Sequence, residues 1–157
     1  MIRIRKASAA DCRRIWQWSS DPAVRAESFI SDPIPYQDHV EWFKKKISDP
    51  DCYLFIAENG DNQPIGQIRF ELAGHNATVS VSLDQKHRHK GYGSKIIALA
   101  SQNIFATTPT NMIHAYIKLS NTVSTSAFKK AGFIFSKTLQ MKGQDAVHLI
   151  LDKEEPK

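Results

Sequence analysis

The sequence predicts a single α+β domain on a mixed, mostly antiparallel sheet with helices packed against it. Three observations carry that expectation. The chain has 157 residues, enough for one hydrophobic core and too few for two ordinary ones. Its apolar spacing switches between a period of two and one of about 3.6. Strand-like segments joined by turn residues come first, and strands alternating with helices follow. The domain is expected over residues 1–152, with 153–157 a frayed tail.

Ile2 to Arg5 alternates apolar and basic residues and reads as a strand. Ser8-Ala9-Ala10-Asp11 places a capping hydroxyl three residues ahead of a carboxylate, and Cys12, Ile15 and Trp16 then follow helical spacing. That helix should stop near Asp21-Pro22, because the residue before a proline disfavours the α region. Val40, Phe43 and Ile47 lie along one face of a second helix, about Tyr36 to Ile47. Tyr53–Ala57, Pro64–Leu72 and Thr78–Leu83 read as strands; Asn59-Gly60 and Gly74-His75 in their connections predict antiparallel hairpins. Gly91 to Phe105 reads as a helix with Ile96, Ile97, Ala100 and Ile104 inward. A strand Ile113–Ile117, a short helix Val123–Ala131 ended by Gly132, and strands Phe133–Ser136 and Val147–Leu151 complete the set.

Hydrophobic residues are 41% and charged residues 24% of the chain, which argues against disorder, collagen and coiled coil. No apolar run approaches the roughly 18 to 20 residues of a membrane span, and the N-terminus lacks a secretion signal, so a soluble cytoplasmic protein with no membrane partner is expected. Cys12 and Cys52 form no paired motif and read as small thiols in a reducing compartment. Lys and Arg total 21 against 16 Asp and Glu, a net +5. Such an excess predicts an anionic partner of unspecified kind.

The charge has a focus. A strand ending at Leu83 runs into Lys86-His87-Arg88-His89-Lys90, and Gly91-Tyr92-Gly93-Ser94 opens the next helix. Unpaired amides at a helix start, with glycines allowing close approach, make an anion site that the basic run reinforces. Neither a triphosphate loop nor the dinucleotide fingerprint fits: no Gly-Lys-Ser/Thr occurs, and Ile96 stands where the third glycine belongs. His87 and His89 lie one residue apart in a cationic loop, no carboxylate being nearer than Asp84, so no metal is expected.

Arg88-His89-Lys90-Gly91-Tyr92-Gly93 resembles the R/Q-x-x-G-x-G/A signature of the GNAT superfamily of acetyl-CoA-dependent N-acetyltransferases. Downstream, Asn121-Thr122-Val123-Ser124-Thr125-Ser126-Ala127-Phe128-Lys129-Lys130-Ala131-Gly132-Phe133 is similar to the superfamily's second motif. The resemblance covers nearly the whole chain. It implies a splayed central sheet with helices on both faces, and acetyl-CoA as co-substrate without a metal. Val81, Ser82 and Leu83 would pair by backbone with the pantetheine arm. The segment Arg88, His89, Lys90, Gly91, Tyr92, Gly93 and Ser94 would hold the pyrophosphate, and Asn121, Ser124, Phe128 and Lys130 would contact the cofactor. The family often has a tyrosine at Phe128 to protonate the leaving thiolate. Phenylalanine cannot, so water, the loop, Tyr116 or Ser124 would have to serve.

The acceptor amine must lose a proton before or as it attacks. Gln67, Arg69 and Glu71 share a strand face, and Thr78, Ser80 and Ser82 form a polar file on the next strand; such files suit a water-facing side of the sheet as well as a cleft. Glu71 is the candidate base, with Ser80 positioning a water, Arg69 binding an anionic group, and His75 and His114 as lesser candidates for the base. Trp18-x-x-Asp21-Pro22-x-Val24-Arg25-x-x-Ser28-Phe29, with His39-x-x-Trp42-Phe43 and Gly66-Gln67-Ile68-Arg69-Phe70, is similar to GNAT domains of pseudaminic-acid-type biosynthesis. Those acetylate the 4-amino group of a UDP-linked amino-deoxysugar. This implies that Arg25, Ser28, Phe29, His39 and Arg69 bind a nucleotide-sugar acceptor. Acetylation of protein N-termini is the rival enzyme reading. A CoA- or nucleic-acid-binding module without turnover is the rival of another class, although a basic run confined to one motif favours a cofactor over nucleic acid.

Overall fold

The computed structural model describes residues 1–154, so 155–157 of the expected tail lie outside the described residues. Seven strands form one sheet in the order β1-β2-β3-β4-β5-β7-β6. Along the chain these are β1 (Arg3–Lys6), α1 (Cys12–Ser20), α2 (Pro22–Glu27), α3 (Tyr36–Ser48), β2 (Cys52–Glu58), β3 (Pro64–Ala73), β4 (Asn76–Leu83), α4 (Tyr92–Thr107), β5 (Met112–Lys118), α5 (Thr122–Lys130), β6 (Ile134–Met141) and β7 (Gln144–Asp152). All neighbours pair antiparallel except β4 and β5, which are parallel. The mixed, mostly antiparallel α+β sheet expected from the sequence is therefore present.

Alternation along the strands gives the sheet two apolar faces. Phe55, Ile68, Phe70, Val79, Ile113, Ala115 and Leu149 pack against Ile96, Ile97, Ala100 and Ile104 of α4. On the other face Leu54 and Ile56 meet Ile15, Trp18 and Phe43 of α1 and α3. Each fully buried Ile or Phe stabilises by about 1.5–3 kcal/mol relative to exposure.

Local rules explain most boundaries. Asp11 accepts from the Ser8 amide at 2.7 Å and from two Arg5 nitrogens at 2.9 Å, which fastens the start of α1 to β1. Burial would raise the Asp11 carboxyl, but the Arg5 and Ser8 hydrogen bonds outweigh it and hold it below the ordinary carboxylate value. A depressed folded pKa stabilises above the unfolded value and loses that contribution as pH falls through the folded one. Asp11→Asn is therefore expected to be less stable than the native chain at neutral pH, with the gap narrowing below about pH 4. Urea unfolding midpoints against pH would show it, and a gap independent of pH would contradict it.

Two departures from the sequence reading have simple causes. Asp21-Pro22 ends α1 but also begins α2, because the Asp21 carboxylate caps the Ala23 amide at 2.8 Å and proline suits the first helical position. β6 and β7 run past the expected spans to meet at Lys142-Gly143, where both residues have positive φ (53° and 75°), as a two-residue hairpin turn requires.

β4 and β5 share a ladder for three pairs only, Asn76–Met112, Ala77–Ile113 and Thr78–His114. Beyond Thr78 they part, each held elsewhere. β4 stays paired with β3 through Gly66–Leu83, and β5 with β7 through Lys118–Ala146. Gly66 is required here: a Cβ on it would lie 2.7 Å from the Ser82 carbonyl oxygen and 2.9 Å from Leu83 Cδ2. Gly66→Ala is expected to cost about 1–3 kcal/mol by overpacking. Chemical denaturation measures it, and an unchanged midpoint would mean that this end of β4 yields freely.

Candidate active site

The wedge between β4 and β5 opens onto the start of α4. Asp84, just past β4, accepts from Trp18 Nε1 at 2.8 Å and from the Lys86 amide at 2.9 Å. Burial pushes its carboxyl up, but the bonds from Trp18, Lys86 and His87 prevail and hold it below the ordinary value. His89 and Gly91 then adopt left-handed backbone, φ 63° and 79°. Such turns gather successive amides into an anion-binding concavity, and α4, sixteen residues long, adds its positive end. None of the amides from Arg88 to Ser94 is used as a donor in a turn or loop hydrogen bond. Lys90 is exposed beside them.

Arg88 has a different task from the one expected. Its Nη2 donates to the Leu83 carbonyl at 3.1 Å and to Asp21 at 3.2 Å. With its charge paired to a carboxylate, the side chain fastens the loop to the α1–α2 corner and is not free for a phosphate. Val81, Ser82 and Leu83 pair with β3 on one side and have no strand partner on the β5 side. The Ser82 hydroxyl accepts from Gln67 at 3.1 Å.

On α5, Asn121 is first a helix cap, accepting from the Ser124 amide at 3.1 Å. Its NH2 end is what remains to reach a ligand. Ser124 is half-buried. Phe128 is 2% exposed and packs edge-on against Phe133, centroids 5.0 Å apart, so it is a core residue and not part of an open surface. Lys130 is exposed and lines, with Lys129, Leu119, Thr125 and Val147, a groove of about 670 Å³ to which neither β4 nor α4 contributes. Two of the four α5 expectations thus need correction, Phe128 by burial and Lys130 by placement.

The opposite face of the sheet is polar around the point of parting. Register puts Arg69 beside Ser80, Glu71 beside Thr78, Thr78 beside His114, and Tyr116 beside His148. Ser80 is exposed. The Arg69 guanidinium lies 5.0 Å from the centre of the Trp42 ring, a cation–π contact. Glu71 is bound to the Lys46 ammonium, with Arg69 Nε 3.8 Å away. With Lys46 occupying the carboxylate, the placement of Glu71 counts against the role expected for it.

Histidines dominate the vertex instead. His114 Nδ1 lies 2.8 Å from His148 Nε2, and His114 Nε2 lies 2.8 Å from Asn76 Oδ1. The His148 ring stacks on Tyr116 at 4.5 Å and 7°. Burial pushes both histidines below the ordinary value; His114 and Lys137 push His148 further, and Asp152 opposes the shift of His114. His148 escaped the sequence reading because no motif marks it. Its one signal was a histidine inside the apolar run Val147-His148-Leu149. His75, in the β3–β4 turn, bonds to the Pro109 carbonyl at 2.9 Å.

Three expected acceptor residues prove structural. His39 is 3% exposed and bonded to the Cys12 carbonyl at 2.8 Å, with burial keeping its ring below the ordinary value. Arg25 donates to the carbonyls of Ser19 (2.7 Å) and Ile30 (3.0 Å) and to Ser28 Oγ (3.2 Å), so neither Arg25 nor Ser28 is free for substrate. What they build is a wall. Lys118 reaches the Ala26 carbonyl at 2.7 Å, and Gln144 reaches that of Phe29, itself half-buried, at 2.8 Å.

Among the described residues no helix is long and apolar enough to cross a membrane, and no group of three metal-ligating side chains is assembled. The chain superposes on spermidine N-acetyltransferase from Vibrio cholerae in complex with CoA and spermine with a TM-score of 0.87 at 17% identity, covering 96% of this chain and 95% of that one. An aminoglycoside acetyltransferase in complex with coenzyme A gives 0.85 at 17% identity, covering 98% and 95%. These likenesses concern the fold. No curated protein matches the chain. Residues 2–134 match the model of the acetyltransferase (GNAT) domain. With the parted strands and the amide-lined start of α4 in place, the chain belongs to the GNAT acetyltransferase family and is an acyltransferase.

Proposed function

We propose that the chain moves the acetyl group of acetyl-CoA to the primary amine of a small acceptor that also carries phosphate, a nucleotide-linked amino-deoxysugar. The wedge carries the first half of this reading. Between Thr78 and Leu83, β4 offers a strand edge with no partner on the β5 side, and the amide concavity at Gly91 lies at its open end. A strand-like pantetheine arm ending in a pyrophosphate fits that order of features. Acetyl-CoA supplies an activated acyl thioester; the chain holds it, keeps the amine on the opposite face, and manages protons.

Charge on the acceptor face supports the second half. Arg69, Lys46 and Lys118 stand around it, and the Glu71 carboxylate among them is bound to Lys46. A polycation such as the spermine in the Vibrio structure would meet like charge here, whereas a diphosphate would gain from it. Tyr116 stacks on His148 on the vertex face, and with Phe128 unable to supply a proton, the departing thiolate takes one from solvent in this reading.

The test is amine-dependent release of free thiol from acetyl-CoA with three acceptors: a UDP-linked 4-amino-4-deoxysugar, spermidine and a peptide with a free N-terminus. The reading expects the sugar to exceed the others in kcat/KM by at least about tenfold, worth roughly 1.4 kcal/mol of transition-state binding. Turnover of the peptide or spermidine with none of the sugar would overturn the acceptor assignment.

A further inference from the structure

The end of α1 is tied to the cofactor edge at three points. Trp18 Nε1 donates to Asp84 at 2.8 Å. Gln67 Nε2 bridges the hydroxyls of Ser19 (3.3 Å) and Ser82 (3.1 Å). Asp21 accepts from Arg88 at 3.2 Å. Ser82 lies on the stretch of β4 without a partner on the β5 side, and Arg88 opens the amide concavity. The same corner also holds the acceptor wall. The Ser19 carbonyl accepts from Arg25 Nε at 2.7 Å, and Arg25 Nη1 reaches on to the Ile30 carbonyl at 3.0 Å. The Asp21 carboxylate belongs to both sides: Oδ1 caps the Ala23 amide at the start of α2, and Oδ2 takes the Arg88 guanidinium.

We propose that Asp21 and Arg88 are positioning residues that couple the two halves of the site: acetyl-CoA bound at the amide concavity holds the acceptor wall in place, and an acceptor against the wall tightens acetyl-CoA in return. The proposal rests on the placement of acetyl-CoA in the reading above. A pyrophosphate supplies partners to amides between Arg88 and Ser94 that have none in the loop, so it orders the loop that carries Arg88. An ordered Arg88 then restrains Asp21, and through it the start of α2. Once one ligand has ordered the shared corner, the second binds with less ordering left to do. Linkage makes the effect equal in both directions.

This pair is the link able to open. Trp18 is a core residue, 6% exposed, so its bond to Asp84 is a fixed anchor. The Asp21–Arg88 pair instead joins two segments that bury nothing. α2 has no buried residue, and neither has the run from Asp84 to Tyr92. Beyond α2 the wall is held by side chains: among the described residues, Phe29 to Ile34 makes no backbone–backbone hydrogen bond. Its carbonyls are gathered by Arg25 at Ile30, Gln144 at Phe29 and Trp16 at Ile34. A segment with so little packing of its own takes its order from its ties.

The experiment is amide hydrogen exchange of the full chain with and without saturating coenzyme A, which needs no acceptor. In the native chain coenzyme A should slow exchange between Arg88 and Ser94 and, at a distance, between Ala23 and Ile34 by about fivefold or more. Asp21→Asn keeps the helix cap, since asparagine caps as well as aspartate, and loses the ion pair. It should keep the protection of the loop and lose that of the wall. Arg88→Gln breaks the pair from the other side and should also lose the protection of the wall. With the UDP-linked 4-amino-4-deoxysugar, the native chain should bind coenzyme A about fivefold or more tighter when the sugar is present, and Asp21→Asn should not. A protected loop with an unmoved wall in the native chain would overturn the coupling and leave the cofactor site intact. So would a wall protected to the same ratio in both variants, the behaviour of a merely structural link. An unprotected loop would overturn the placement of acetyl-CoA itself, and the coupling with it.

Discussion

Gly91→Val should weaken acetyl-CoA binding by about 10- to 100-fold, or roughly 1.4–2.8 kcal/mol, while changing thermal stability little. Gly91 sits at φ 79° immediately before α4, and a Cβ there would meet nothing within 4 Å. The obstacle is thus purely one of backbone: a β-branched residue in the left-handed region costs on the order of 1–3 kcal/mol. No packed neighbour holds the position, so the loop relaxes, and relaxation turns the amides between Arg88 and Ser94 away from a common centre. Gly93→Ala is the control. Gly93 has no positive φ, and its added Cβ would make an ordinary 3.6 Å contact with Ala127, so affinity should hardly change. Titration calorimetry of the two variants decides the matter. Native affinity in Gly91→Val would show that the concavity does not hold the pyrophosphate.

Arg25→Ala should raise the KM for the acceptor at least tenfold and leave acetyl-CoA affinity alone. The guanidinium gathers carbonyls on both sides of α2, from Ser19 and from Ile30. Burial without a carboxylate partner makes its charged form harder to keep, and its pKa is pushed down accordingly. Hydrogen bonds to a charged group contribute about 1.5–3 kcal/mol each, so their loss frees the segment between α2 and α3. That segment carries the Phe29 carbonyl to which Gln144 is tied, and it follows directly on the end of α2, where the Ala26 carbonyl holds Lys118; together they form the wall beside the acceptor face. Steady-state kinetics with limited proteolysis should show a raised KM and new cleavage between Ser28 and Pro35. A native KM would show that the wall does not shape the acceptor site.

The parts of the site that the sequence made legible are contiguous. Leu83, the basic run and Gly91 to Ser94 adjoin along the chain, so a strand end, a turn and a helix start could be read in one pass. What escaped depends on partners far away. Arg88 reads as a phosphate ligand until Asp21, 67 residues earlier, appears beside it. His39 reads as an acceptor-binding residue until the Cys12 carbonyl claims its ring. His148 acquires meaning only from the β5–β7 register that stacks it on Tyr116 and the diagonal contact to His114. α2 was missed for a local reason: an aspartate before proline serves equally as a stop and as a start, and the segment is too short to show a period.

The central claim is that the parted strands and the start of α4 hold acetyl-CoA for direct transfer to an amine. Its most direct measurement is thiol release from acetyl-CoA by the purified chain, with and without an amine, alongside mass analysis of the acceptor. The account predicts thiol and N-acetylated amine formed one for one, and little thiol when the amine is left out. Acetyl-CoA that fails to bind, or thiol released at the same rate without any amine, would contradict it.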